Sequence, residues 1–352
     1  MEKELWKGNE AIAEAAIRAG CDCFFGYPIT PQSEVPEYMS AHLPKAGGVF
    51  LQSESEVAAI NMVYGAAGAG MRAMTSSSSP GISLKQEGIT YIAGAELPCV
   101  IVNCMRGGPG LGTIQPGQGD YYQATRGGGN GDYRTVVLSP SNVQEAVDFV
   151  QEAFDIADQY RNPVMVVMDG LIGQMMEPIT FEDVVVEHYD KPWALTGTEC
   201  KRKHNIVNSL YLQPDVLEKK NFERYEKYKV VEANEALHES YLMDDADVCV
   251  VAFGIAARVA KNAVVAARGE GIKAGMIRPI TIWPFHKQAL SQAADQVKSF
   301  LSVELSMGQM VEDIQLATGC RRPVSLCNRV GGMIPSPDQV LESIRKAAKG
   351  EN

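Results

Sequence analysis

From its first residues to about position 180 the chain alternates short apolar runs with stretches whose apolar residues recur at helical spacing. The pattern predicts a helix over 9–19, strands over 23–26 and 49–52, a helix over 54–67, a strand over 72–75 and a helix over 82–95. It continues with a strand over 99–104, a long glycine-rich stretch, a strand over 135–138, a helix over 142–159 and a strand over 164–168. Alternation of this kind builds a mostly parallel sheet covered by helices on both faces. Between 181 and 245 the periodicity fades. The segment holds KRKH at 201–204 and EKKNFERYEKYK at 218–229, and it reads as a connector with one charged, exposed helix. The alternating pattern then returns, with strands over 248–253, 273–277, 299–303 and 324–328 and helices over 256–268, 285–294, 307–318 and 337–348. Ser336 stands as N-cap of the last helix, with Pro337 at its first position. The expected organisation is an α/β domain over 1–180, a connector over 181–245 and a smaller α/β domain over 246–352. A length of 352 residues agrees with about two domains, each with its own core.

Charge narrows the function classes. Lys plus Arg number 32 against 43 Asp plus Glu, a net charge of −11. A nucleic-acid backbone or an anionic membrane surface calls for a concentrated positive field, so neither is expected as a partner. The start, MEKELWKGNEAIAEAAIRAG, is acidic where a secretory leader is basic, and the apolar run 98–105 is far short of the roughly 20 residues of a membrane span. A cytoplasmic protein is expected. Eight cysteines (21, 23, 99, 104, 200, 249, 320 and 327) are scattered without a CxxC pair or a histidine at zinc spacing. They read as reduced and mostly buried thiols, with no iron–sulfur ligand set.

In an open parallel sheet, ligands bind beyond the carboxyl ends of the strands, and four loops there are chemically loaded. GYPITPQSE, from Gly26 to Glu34, sets the Thr30 hydroxyl between two prolines. In LQSESEVAAINMVYGAAGAG a strand ends and a helix begins near Ser53. Local sequence favours an S-x-x-E capping box of Ser53 with Glu56; the functional alternative has Glu56 projecting from the helix start to hydrogen-bond a ring nitrogen of a ligand. TSSSSPG, from Thr75 to Gly81, offers hydroxyls and free N–H groups at a helix start, suited to a polar ligand and equally to ordinary capping. In MRGGPGLGTIQPGQGDYY, Arg106 ends an apolar strand ahead of a glycine-rich loop, where its planar fork could clamp a carboxylate. The glycine spacing does not meet G-x-G-x-x-G after a first strand, so a nicotinamide cofactor is disfavoured.

Taken together, GNEAIAEAAIRAG, GYPITPQSE, FLQSESEVAAINMVYGAAGAG, MTSSSSPGISL and MRGGPGLGTIQPGQGDY resemble the α subunit of the 2-oxoacid:ferredoxin oxidoreductases, and among them most closely the members that use 3-methyl-2-oxobutanoate (2-ketoisovalerate). The resemblance runs through NPVMVVMDGLIGQMMEP to about residue 180 and resumes at KAGMIRPITIWPF, which is similar to a transketolase C-terminal-type domain. It implies a thiamine diphosphate-binding domain of the pyrimidine type. It also implies an enzyme that decarboxylates a 2-oxoacid on thiamine diphosphate, passes two electrons through iron–sulfur clusters to ferredoxin and transfers the acyl group to coenzyme A. By this resemblance Glu56, rather than Glu54, falls on the glutamate that hydrogen-bonds the aminopyrimidine and favours its imino tautomer. Thr30 and Arg106 fall on the positions that hold the substrate carboxylate. Pro28, Ile29, Ser78, Ser79 and Gly81 fall on the cofactor side.

Some of the enzyme is missing from the chain. No GDG followed downstream by NN is present to hold the diphosphate through a divalent metal; the GDY triplets at 119 and 131 and the MDG at 168 lack the asparagines. The resemblance therefore implies a β subunit carrying diphosphate, Mg2+ and cluster sites, with small γ and ferredoxin-like δ subunits beside it. Between Ile101 and Thr125 the one basic residue is Arg106, which offers no second cation for the distal carboxylate of 2-oxoglutarate and favours a branched apolar substrate. The alternatives are the 2-oxoglutarate member of the family and a non-catalytic scaffold subunit.

Overall fold

The computed structural model describes residues 3–182 and 184–351. Its strands are β1 (Glu4–Lys7), β2 (Cys23–Gly26), β3 (Val49–Gln52), β4 (Ala73–Ser77), β5 (Cys99–Met105), β6 (Val136–Leu138), β7 (Pro163–Asp169), β8 (Met176–Ile179), β9 (His238–Tyr241), β10 (Val248–Ala252), β11 (Ala274–Pro279), β12 (Thr281–Trp283), β13 (Ser299–Glu304) and β14 (Val324–Asn328). The α-helices are α1 (Gly8–Arg18), α2 (Glu34–His42), α3 (Glu56–Gly68), α4 (Ser79–Gly94), α5 (Tyr121–Arg126), α6 (Val143–Tyr160), α7 (Gly170–Gln174), α8 (Pro214–Asn234), α9 (Gly254–Gly269), α10 (Lys287–Gln296), α11 (Met310–Thr318) and α12 (Pro337–Lys349).

A seven-stranded sheet in the order β12-β6-β7-β5-β4-β2-β3 is parallel from β6 to β3. Its central strands, CVIVNCM and PVMVVMD, are buried along their whole length, as strands covered on both faces must be. A five-stranded sheet in the order β14-β13-β10-β11-β9 is parallel except for β9. The edges are shared across the chain. Strand β12 pairs antiparallel with β6 of the first sheet, through Thr281 opposite Leu138 and Trp283 opposite Val137. Strand β9, within the stretch that reads as a connector, closes one edge of the second sheet. No regular element occupies 184–213 among the described residues, and α8 is the charged helix expected there, mostly exposed but with Arg224, Tyr228 and Val231 buried.

Helix boundaries move where capping chemistry outweighs periodicity. Helix α4 begins at Ser79, earlier than its apolar spacing suggests, because Pro80 is tolerated in a first turn. Helix α11 begins at Met310, since the buried Glu304 carboxylate accepts the N–H groups of Gln309, Met310 and Val311 and ends the turn before it. Helix α12 has the expected Ser336 cap, completed by a reciprocal bond with Gln339. All eight cysteines are free, six of them buried, with Cys200 and Cys320 exposed. No helix of the described residues is long and apolar enough to cross a membrane.

Candidate active site

Because β2 to β7 of the first sheet run parallel, the loops after β2, β3, β4, β5 and β7 all leave from one edge. The loop after β2 is pinned from beneath. The Asn9 side-chain amide donates to the Pro31 carbonyl and to Glu34, both at 2.7 Å, and Gln174 donates to the same Pro31 oxygen at 2.8 Å. Burial alone would raise the Glu34 carboxyl, but hydrogen bonds from Lys7 and Asn9 hold it below the usual carboxylate range. Gln32 is buried, accepts the Ser76 hydroxyl and donates to the Tyr27 carbonyl. Thr30 is left at the exposed crest with Pro28, and Ile29 is half-buried beside them.

The loop after β3 corrects the expected cap. Ser55, not Ser53, caps α3, its hydroxyl accepting the Ala58 N–H at 3.2 Å. Ser53 instead donates to the Gly26 and Ser55 carbonyls, tying the first two loops together. Glu56 is thereby freed from capping and becomes the first residue of α3, with 6% of its surface exposed. Its carboxylate crosses to α4 and lies against Gly81. A Cβ at position 81 would stand 2.8 Å from Glu56 Oε1 and 2.1 Å from Ser77 Oγ, so only glycine leaves the carboxylate its place. Among the described residues no side-chain or backbone donor hydrogen-bonds the Glu56 carboxylate.

Around this carboxylate stand polar groups whose hydrogen-bonding capacity is unspent. The buried Ser77 hydroxyl beside it has no partner, and neither, among the described residues, do the hydroxyl of Ser78, next in the chain, and the side-chain oxygen of Asn103, which lies across the sheet from Ser77. Lys85, one turn along α4 from Gly81, is fully buried and donates to Thr75 Oγ1 at 3.0 Å. Its ammonium is pushed down to about 8 by burial, against the opposing pull of the Glu56 charge. Buried polar groups are ordinarily satisfied, so this concentration of spare donors and acceptors beside an unpaired carboxylate fits a polar heteroaromatic ring such as an aminopyrimidine.

Arg106 lies at the end of β5 with its backbone N–H on Ser79 Oγ at 3.0 Å. Its guanidinium donates to the Thr30 carbonyl at 2.9 Å and to the Leu111 carbonyl at 3.0 Å, while Nε is buried and unpartnered. The structure thus brings Thr30 and Arg106 into contact, with the arginine bracing two loops through their backbones. Glu56, Ser77, Gly81 and Lys85 form one cluster, and Thr30, Arg106 and Ser79 form another beside it. A cleft of about 350 Å³ adjoins the second cluster, lined in part by Thr30, Pro31, Ile114, Gln115, Gly170 and Gln174.

Three residues here escape sequence reading. Lys85 is a lone cation among apolar neighbours of a helix, Asn9 sits at a helix start, and Asp169 ends β7. Asp169 is fully buried and accepts the Ile255 N–H at the start of α9 at 2.6 Å. Burial pushes its carboxyl up to about 7, against that bond and one from Gln118. The folded chain therefore binds a proton here that the unfolded chain has already released, and stability falls as pH rises from about 4 through about 7. Asp169→Asn keeps an acceptor for Ile255 and removes the titration. The loss of melting temperature between about pH 5 and about pH 8 should be smaller in the variant than in the natural chain; an equal loss would show that Asp169 does not titrate in this window.

Residues 14–266 match the family model described as pyruvate flavodoxin/ferredoxin oxidoreductase, thiamine diphosphate-binding, and residues 246–340 match core domain II of pyruvate:ferredoxin oxidoreductase. The chain is 54% identical to ketoisovalerate oxidoreductase subunit VorB of Methanothermobacter thermautotrophicus over 349 residues, 99% of each chain. It is 37% identical to 2-oxoglutarate synthase subunit KorA of Methanothermobacter marburgensis, covering 97% of this chain and 98% of that one. Among solved structures, 2-oxoglutarate:ferredoxin oxidoreductase from Magnetococcus marinus, with 2-oxoglutarate, coenzyme A and succinyl-CoA bound, superposes with a TM-score of 0.88 at 26% identity. That match spans 99% of this chain and 65% of the other. A split-gene transketolase shares the fold at a TM-score of 0.59 and 14% identity. With a family match over most of its length and a relative more than half identical from end to end, the chain belongs to the 2-oxoacid:ferredoxin oxidoreductases, as an α-type subunit with a thiamine diphosphate-binding domain.

Proposed function

We propose that this chain supplies the pyrimidine side of a thiamine diphosphate site in a hetero-oligomer that oxidatively decarboxylates 3-methyl-2-oxobutanoate and related branched-chain 2-oxoacids. The products are acyl-CoA and carbon dioxide, and ferredoxin is reduced. The observation that carries this reading is the Glu56 carboxylate, held at a helix start over Gly81 and left without a hydrogen-bond donor. Thiamine diphosphate, when bound, supplies the nucleophilic carbon that adds to the 2-oxoacid carbonyl and the sink for the electron pair left by carbon dioxide. Glu56 holds a proton at its carboxyl oxygen toward the ring nitrogen. Ser78 and Gly81 border the ring, with Pro28 and Ile29 on the loop opposite. Arg106 and Thr30 orient the substrate carboxylate, the guanidinium through its spare Nε–H and the threonine through its exposed hydroxyl. Ser79 fixes the arginine's backbone from behind.

Partner subunits complete the enzyme in this reading: a β subunit with the diphosphate, Mg2+ and cluster sites, small γ and ferredoxin-like δ subunits, and ferredoxin as acceptor, all in the cytoplasm. Two relatives named for ketoisovalerate are 54% and 52% identical to the chain, against 37% for one named for 2-oxoglutarate. Arg106 is also the one cation between Ile101 and Thr125. Both favour the branched substrate.

The complex, recovered anaerobically through a tag on this chain, would be assayed for coenzyme A-dependent reduction of a low-potential dye. Turnover is expected to be fastest with 3-methyl-2-oxobutanoate. Preference for 2-oxoglutarate would keep the enzyme class and overturn the substrate. No activity with either acid or with pyruvate would overturn the reading itself.

A further inference from the structure

Glu34, the first residue of α2, has no part in the chemistry above, yet side chains from three other elements converge on its carboxylate. It accepts Lys7 Nζ from the end of β1 at 2.5 Å, the Asn9 amide from the first turn of α1 at 2.7 Å and the Gln174 amide from the end of α7 at 3.0 Å. The two amides share a second acceptor. A side-chain NH2 group carries two N–H donors, and each of these amides donates also to the Pro31 carbonyl, from Asn9 at 2.7 Å and from Gln174 at 2.8 Å. A carboxylate only accepts, so Glu34 selects the orientation of both amides. Turned over, either amide would set its own oxygen against the Pro31 oxygen. Asn9 is fully buried, where an unpaired amide group is costly.

The carbonyl so held belongs to the residue after Thr30. The Thr30 carbonyl is itself held by Arg106 at 2.9 Å. Two consecutive peptide groups of the loop are thus fixed, one by the arginine and the next by the amides, and the exposed Thr30 side chain stands on them. Resting on the role assigned to Thr30 above, we propose that Glu34 is a positioning residue for the 2-oxoacid. By orienting Asn9 and Gln174 on the Pro31 carbonyl, it fixes the Thr30 hydroxyl where the substrate carboxylate meets it. A displaced hydroxyl weakens the steps up to loss of carbon dioxide. Acyl transfer to coenzyme A comes after the carboxylate has left, and is untouched.

The test is kinetic and uses the tagged complex. With the 2-oxoacid that turns over fastest, kcat/KM is measured for that acid at saturating coenzyme A and for coenzyme A at saturating acid. Glu34→Gln keeps one acceptor but turns a donor toward the amides. Gln174→Met removes one of the two holders at an exposed position, and keeps the test decisive if Glu34→Gln does not assemble. Each should lower kcat/KM for the 2-oxoacid at least about fivefold and leave that for coenzyme A within about twofold. A merely structural role reduces the amount of active complex and lowers both values alike, so equal falls, or no fall in either, would overturn the proposal. Thr30→Val separates the two layers, and should lower the 2-oxoacid value alone. If it does so while Glu34→Gln and Gln174→Met do not, the positioning by Glu34 is wrong and the role of Thr30 stands. If Thr30→Val leaves that value unchanged, the role of Thr30 falls and the proposal falls with it.

Discussion

Glu56→Gln in the assembled complex is expected to lower turnover by about 10²- to 10⁴-fold, the range for a positioned proton-transfer group, while assembly and melting temperature stay near their natural values. The substitution changes one oxygen to an amide nitrogen and removes the proton that the carboxyl holds toward the ring. It costs no helix cap, because Ser55 caps α3, and it strands no donor, because none is bonded to Glu56. Dye-reduction kinetics, gel filtration and a thermal melt on the same preparation separate the outcomes. Unchanged turnover would remove Glu56 from the chemistry. Loss of assembly would mean that the carboxylate supports the structure.

The largest effect on stability is expected at Arg72, remote from the site. Its buried guanidinium donates to Asp158 at 2.9 Å, to Asp155 at 2.6 Å and to the carbonyls of Ala19 at 2.7 Å and Glu187 at 3.0 Å. One side chain thus joins the end of α1, the lead into β4, the face of α6 and the chain beyond β8. Arg72→Met fills similar space but leaves buried acceptors unpaired. Removing one partner of a buried ion pair costs about 3 to 5 kcal/mol, and the lower figure is expected because Lys191 also lies 2.6 Å from Asp158. Urea denaturation of the isolated chain measures it; a loss below about 1 kcal/mol would class the cluster with surface pairs. Turnover per folded complex should be unaffected, since none of these groups touches the loops after β2 to β5.

What could be read in the sequence follows from how far each signal extends. Long apolar runs such as CVIVNCM and long amphipathic stretches such as that of α6 announce themselves, because many residues repeat one period. Strands β1, β8, β9 and β12 are no shorter than β2, β3 and β6, but ELWK, MEPI and HESY carry charged or proline positions instead of an apolar run, and β12 follows β11 with only Ile280 between; these four form because a neighbouring strand offers its edge. Helix α2 is hidden for another reason. Pro36 lies in its first turn, where proline is tolerated, and its buried Val35 and Met39 sit too near a loop to stand out. At the site, the motif strings single out Glu56, Thr30 and Arg106, and the structure sets Thr30 against Arg106 and Glu56 against Gly81. Ser53 and Ser55 both precede the helix, so the sequence alone does not choose between them as cap; the structure does, by tying Ser53 to the Gly26 carbonyl and Ser55 to the Ala58 N–H. Lys85 could not be read at all, since a single lysine in a helix is normally a solvated one and only tertiary burial makes it otherwise.

The tripeptide Thr281–Trp283 lies far along the chain, after the second sheet has begun, yet it closes the open edge of the first at Val136–Leu138, and the Ser139 N–H donates to the Ile280 carbonyl at 2.8 Å beside it. A polypeptide cut between the two sheets would bare a valine–valine–leucine edge, a template for pairing with other copies. The halves are therefore not interchangeable cassettes. A hybrid gene joined near residue 245 would have to bring a matching 281–283 clasp from the same parent, so the two sheets should be inherited, and should unfold, as a single unit.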